Sequence, residues 1–268
     1  MSSKVARLAR RGLVGVSGPD AASFLQGLLT CDVEGLAPGA LRFGALLTPQ
    51  GKFLFDLFVA HSGDSLILDV EAERRDAFIQ RLSLYRLRAK VEIAAIDGGV
   101  WARWGADKHA ASPWMQDPRL PALGGRAYGD EVESETASED DYDAWRLSLG
   151  VPDPARDCEV DRSFLIEADF DLLHGIDFQK GCFVGQETTS RMKRRGQIRS
   201  RTVPITFEGP PPAQGAEILA GDLRAGEVLS GREGRALALV RLDRVENAEL
   251  TVDGRSVRVE FPEWMTER

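Results

Sequence analysis

Lys180, Cys182, Gln186 and Glu187 fall within eight residues, in the run KGCFVGQE, and no other stretch of the chain is as dense in groups that can do chemistry. Cys182 has Gly181 before it and Gly185 after it, and glycine lets another chain or a ligand approach the backbone closely. From Gln186 the composition becomes helix-compatible, so a short helix is expected to open at Gly185 or Gln186. A thiol beside a helix N-terminus and two residues from a lysine is held partly as thiolate, the nucleophilic and metal-binding form. Glu187 then falls in the first turn, where a carboxylate suits the helix dipole. A lone cysteine is also a common small buried hydrophobe, and the local sequence leaves both readings open.

A basic run follows: Arg191, Lys193, Arg194, Arg195, Arg199 and Arg201, with no acid from 188 to 207. It suits a patch for phosphates, a polyglutamate tail or RNA. It equally suits a solvated helix end, since cations favour a helix C-terminus and Gly196 can serve as the residue just beyond it.

These residues carry a resemblance. KGCFVGQE resembles the K-G-C-[FY]-x-G-Q-E signature of the YgfZ-type proteins, folate-binding-fold relatives of the glycine-cleavage T-protein (aminomethyltransferase) that assist iron–sulfur cluster maturation. GPDAASFLQGLLTCDVEGLAPG (18–39), LLTPQGKFLFDLFV (46–59) and YDAWRLSLGVPD (142–153) resemble further family segments, the last, with GIDFQKGC, in the manner of the mitochondrial and alphaproteobacterial-like branch. The resemblance implies an α+β, T-protein-like folate-binding fold with a small C-terminal β-barrel. It also implies a role in assembling or repairing four-iron four-sulfur clusters, with client or assembly proteins as partners, tetrahydrofolate as a ligand and Cys182 as the working thiol tuned by Lys180. Around a folate it places Asp56, Ser148, Gln186 and Glu187. Where the T-protein strand has an Asp-Asp doublet this chain has Phe55-Asp56, and Ser148 stands where a glutamate contacts the pterin. Cys31 stands where the family often has a polar residue and is read as structural. Two other functions remain open: a folate-dependent aminomethyl or methyl transferase, and an RNA-binding module on the basic run.

Composition narrows the field. At 268 residues the chain can hold one to three domains, and its net charge of −8 does not favour general nucleic-acid binding. Cys31, Cys158 and Cys182 are far apart, without C-x-x-C spacing, which argues against a disulfide scaffold or a local zinc site. Three thiols also fall short of the usual four for a stable iron–sulfur cluster in the isolated chain. His61, His109 and His174 show no metal-ligand spacing, so no metal site is expected. No run approaches the roughly 20 apolar residues of a membrane span, and no membrane partner is expected. A mature, soluble, intracellular protein is expected, bacterial cytoplasmic or, if eukaryotic, in the mitochondrial matrix. The glycines of 181–185 precede Gln-Glu rather than the Lys-Ser/Thr of a phosphate loop, so nucleotide hydrolysis is not expected.

The elements that position the motif divide the chain into 1–128, 129–201 and 202–268. Strands are expected at 13–16, 40–48, 52–60, 65–70, 89–96, 99–104 and 127–128, and helices after Asp20 and at 71–87. The two strands 40–48 and 52–60 meet at a Thr48-Pro49-Gln50-Gly51 turn. An irregular stretch is expected at 108–126. Residues 129–143 hold eight acids and no base and read as a solvated loop without chemistry. Ser138 and Asp141 form a capping pattern for a helix burying Tyr142, Trp145 and Leu149. Leu165, Ile166 and Phe170 should anchor the following loop. Alternating short strands from 202 onward, with a hairpin at Asp253-Gly254, read as the barrel.

Overall fold

The computed structural model describes residues 3–266 apart from 106–111, 131, 195, 197 and 247. Arg195, His109 and the start of the expected irregular stretch therefore lie outside the described residues.

The first sheet runs β3-β4-β5-β2-β6 and is antiparallel throughout: β2 is Arg11–Ser17, β3 Leu41–Leu47, β4 Phe53–Ser62, β5 Ser65–Glu71 and β6 Glu92–Ile96. The β3–β4 turn closes with the Gly51 N–H donating to the Thr48 carbonyl. Pairing slips by one residue between Leu46 and Leu47, so β4 carries a bulge at its start. Beyond it strand alternation is strict. Phe55, Leu57 and Val59 face a core covered by helices α1 (Ala21–Gln26) and α2 (Arg75–Arg86), while Phe58 and Ala60 join a second core on the other face. Asp56 shares that second face by register, buried within an otherwise apolar strand.

The second sheet, β1-β7-β9-β8, pairs Lys4–Arg7, Gly99–Trp104, Gly125–Gly129 and Met115–Gln116 in that order. Strand β1 was not expected: its basic ends hide two buried residues, Val5 and Ala6, too short a run to show periodicity.

Helix α3 (Glu139–Ser148) opens at the anticipated capping box, with the Asp141 N–H on the Ser138 hydroxyl and the Ser138 N–H on the Asp141 carboxylate. Its buried face differs from the apolar reading. Tyr142 is buried as expected, but Asp143, Arg146 and Leu147 accompany it, and Trp145 and Leu149 are only half-buried. Charged residues lie inward because they pair with one another there. Leu165, Ile166 and Phe170 are fully buried, and Phe170 stacks on Phe43 at 4.7 Å, so segment 158–183 forms the second core against the first sheet.

The closed barrel runs β10-β13-β12-β11-β14-β15: Ser200–Thr206, Arg235–Arg241, Leu223–Arg232, Glu217–Ala220, Leu250–Val252 and Arg255–Val259. Asp253 and Gly254 both have positive φ, as the tight hairpin requires.

Candidate functional site

Two regions collect polar chemistry, and they are distinct. The first is a cavity of about 260 Å³ between the first sheet, the second sheet and α3 with the short helix α4 (Pro154–Asp157). Arginines and carboxylates line it, with Phe58, Tyr142, Pro152 and Pro154 supplying apolar wall. The charges are matched pair by pair. Buried Asp69 accepts from Arg11 at 2.6 Å and from Arg126 at 2.7 Å. Arg11 also reaches Asp56 at 2.8 Å. Arg119 makes a two-bond fork to Asp117, at 3.0 and 2.7 Å, and its guanidinium lies 4.9 Å from the Phe58 ring centre. Arg126 covers the same ring at 3.9 Å. On the α3 side Asp143 takes Arg146 at 2.7 Å and Arg156, and Arg156 also holds Asp153. Arg146 and Asp157 continue to Ser230 of β12, tying the cavity to the barrel.

Burial raises the Asp56 carboxyl above its ordinary range, against the opposing pull of Arg11. Burial acts the same way on Asp153, but Arg146 and Arg156 outweigh it and hold that carboxyl down to about 2.

Of the four residues expected around a folate, Asp56 alone lines this cavity. Ser148 lies on the exposed face of α3, its hydroxyl donating to the Trp145 carbonyl one turn back. Gln186 and Glu187 lie elsewhere, at the opening of α5 (Gln186–Arg194). The acid run 129–143 is not all solvated: Glu139 and Asp143 line the cavity because Arg10, Arg146 and Arg156 draw them in. The arginine wall escaped the sequence reading. A signal was there in Asp56 and Asp69, each a charge set in an apolar strand, which demands buried partners.

The second region is the motif itself. Cys182 is exposed, whereas Cys31 and Cys158 are buried. Burial pushes the Cys31 thiol up to about 12 and raises that of Cys158. Lys180 does not serve Cys182. Its ammonium is turned inward and donates to the carbonyls of Gln26, Leu29 and Cys31 at 2.7, 2.6 and 2.9 Å, spending its three protons on the loop after α1. That burial lowers its pKa. Gly185 sits at φ 83°, where an added Cβ would meet the Thr48 carbonyl oxygen at 2.7 Å and the Gly51 Cα at 2.9 Å. The motif is thereby keyed to the β3–β4 turn. Gly181 is the opposite case: a Cβ there would meet nothing within 4 Å, so its surroundings are open.

α5 opens at Gln186 with Glu187 in its first turn, as expected. Gln186, Glu187, Ser190, Arg191 and Arg194 border a shallow surface groove. The basic run is divided in the structure. Arg191, Arg194 and Arg199 are exposed, Lys193 pairs with Asp171 at 2.9 Å, and Arg201 is buried against Asp169 and Asp171. Among the described residues no three of His, Cys, Asp and Glu converge as a metal site, and no helix is long and apolar enough to cross a membrane.

This two-sheet body with a closed barrel is the T-protein architecture. The crystal structure of the glycine cleavage system aminomethyltransferase T from Bartonella henselae superposes with a TM-score of 0.77 over 99% of this chain and 87% of that one, at 17% identity. The C-terminal β-barrel domain of CAF17 matches residues 199–267. Curated relatives align over nearly the whole chain. The iron-sulfur cluster assembly factor IBA57 homolog, mitochondrial, of Phaeosphaeria nodorum is 29% identical over 100% of this chain and 82% of its own length. That of Pyricularia oryzae is 30% identical over 92% of this chain and 73% of its own. The iron-sulfur cluster assembly factor IBA57, mitochondrial, of Mus musculus is 28% identical over 90% of this chain and 78% of its own. The chain belongs to the IBA57 family.

Proposed function

We propose that this chain is an accessory factor for the assembly or repair of iron–sulfur clusters, chiefly four-iron four-sulfur clusters, in client proteins. Its relatives bear the name of iron-sulfur cluster assembly factors along their length. The observation that carries the reading to a residue is the exposure of Cys182, alone among three cysteines, in the motif loop. One exposed cysteine can supply one ligand, and a four-iron cluster ordinarily takes about four. The cluster is therefore cargo, held between Cys182 and thiols of an assembly or client protein. Such work belongs in the mitochondrion, the compartment printed in the relatives' names, and there in its matrix, or in a bacterial cytoplasm. In cells lacking the protein, four-iron four-sulfur enzymes should lose activity and regain it with the wild-type chain. Unchanged enzyme activities would remove the proposal and favour a one-carbon transferase.

The cavity is proposed to take the ring head of tetrahydrofolate, a one-carbon carrier. Its volume lies just under the ~300–1,000 Å³ usual for drug-sized ligands, so the ring enters and the tail stays outside. Asp56, Asp143 and Asp153 would accept from ring N–H groups, and Tyr142 and Pro154 would flank the ring. Titration of the intact protein with tetrahydrofolate should show saturable binding; its absence would exclude the ligand and leave the cluster role standing.

A further inference from the structure

The end of α2 carries an exposed apolar pair that the cluster role does not use. Leu84 is 70% exposed and Leu87 90%, one turn apart. Leu87 sits at φ 42°, a backbone setting that leucine rarely adopts. The fold thus turns its most exposed large apolar side chain outward through an uncommon conformation, the kind of outlier that points to a use. Along the chain the pair's neighbours are basic: residues 77–91 contain Arg81, Arg86, Arg88 and Lys90 and no acid, in a protein of net charge −8. Asp20 is brought beside the end of this stretch, its carboxylate accepting from the Lys90 N–H at 2.7 Å. Arg86, Arg88 and Lys90 are exposed and make no ion pair among the described residues.

We propose that this corner docks the protein on an anionic lipid bilayer. Leu84 and Leu87 enter the interface between headgroups and acyl chains, and Arg86, Arg88 and Lys90 meet the lipid phosphates. Charge complementarity selects this occupant. The basic stretch 188–207 is also free of acid, but among the described residues it exposes no large apolar side chain, so the joint presence of leucines and cations sets the orientation at this corner. Two exposed leucines fall far short of the roughly 1,000 Å² that a stable second-copy interface needs.

The test is co-sedimentation of the full chain with phosphatidylcholine vesicles and with vesicles that also contain phosphatidylglycerol. Binding is expected only to the second kind and should weaken as salt rises. Arg86→Ala/Arg88→Ala should weaken it roughly twenty-fold or more. Leu84→Ser/Leu87→Ser should weaken it at least tenfold, with an unchanged thermal melt because both side chains are already in solvent. Failure of the wild type to bind anionic vesicles would overturn the proposal. So would equal binding to neutral vesicles, or equal binding by both variants. A dimer in light scattering that the leucine variant dissolves would instead assign the corner to a second copy.

Discussion

The cavity and the motif loop treat charge in opposite ways. In the cavity nearly every arginine already holds a carboxylate, and the pairs interlock: Asp69 serves two arginines, and Asp143 serves two more. In the motif the one cation next to the cysteine is withdrawn into the body, and the thiol is left exposed. The first arrangement fixes a shape. The second leaves a single exposed thiol, open to partners from outside. Proximity in sequence is thus a poor guide to partnership: Lys180 is two residues from Cys182, yet serves a loop some 150 residues earlier.

The contrast can be broken first at the cavity. Asp69→Ala removes the carboxylate that Arg11 and Arg126 share, leaving Arg11 with Asp56 and Arg126 with Asp117 at 3.5 Å in a buried site, and removing one partner of a buried pair costs about 3–5 kcal/mol. Urea unfolding should show a loss of that order; a loss under about 1 kcal/mol would mean that the network is not holding the fold.

Lys180→Met sharpens the motif side. It leaves the carbonyls of Gln26, Leu29 and Cys31 without their donor, at about 2 kcal/mol. The expected signature is a lower melting temperature with Cys182 alkylation unchanged. Slower alkylation at unchanged stability would restore the lysine as the tuner of the thiol.

An effect of similar size, but one that vanishes in acid, comes from Asp153. Asp153 is held down to about 2, from 3.8. A depressed carboxylate contributes stability that is fully present above about pH 4 and is lost as pH falls through about 2. Wild type and Asp153→Asn should therefore differ by about 2 kcal/mol at pH 6 and converge near pH 2. A difference that does not change with pH would show that the arginines do not act on this group.

Much of the fold was legible because periodicity and turn chemistry are local. Asp253-Gly254, the Ser138–Asp141 box and the opening of α5 at Gln186 all stood where the residues placed them. The division of labour inside the motif was not legible, since it depends on what lies opposite each residue in space. Gly185 is required by Gly51 and Thr48, more than 130 positions earlier, while Gly181 faces open space. The cavity was hidden for the same reason. Its arginines come from strands, a loop and helices, and acids such as Asp143 looked like part of a solvated run until Arg146 and Arg156 were seen beside them.

The central claim is that Cys182 is the working atom and the rest of KGCFVGQE is its mount. The most direct measurement is rescue of four-iron four-sulfur enzyme activity by Cys182→Ser, in cells lacking the protein and at matched protein levels. The expected result is no rescue from a variant that melts with the wild type. Full rescue by Cys182→Ser would contradict the account.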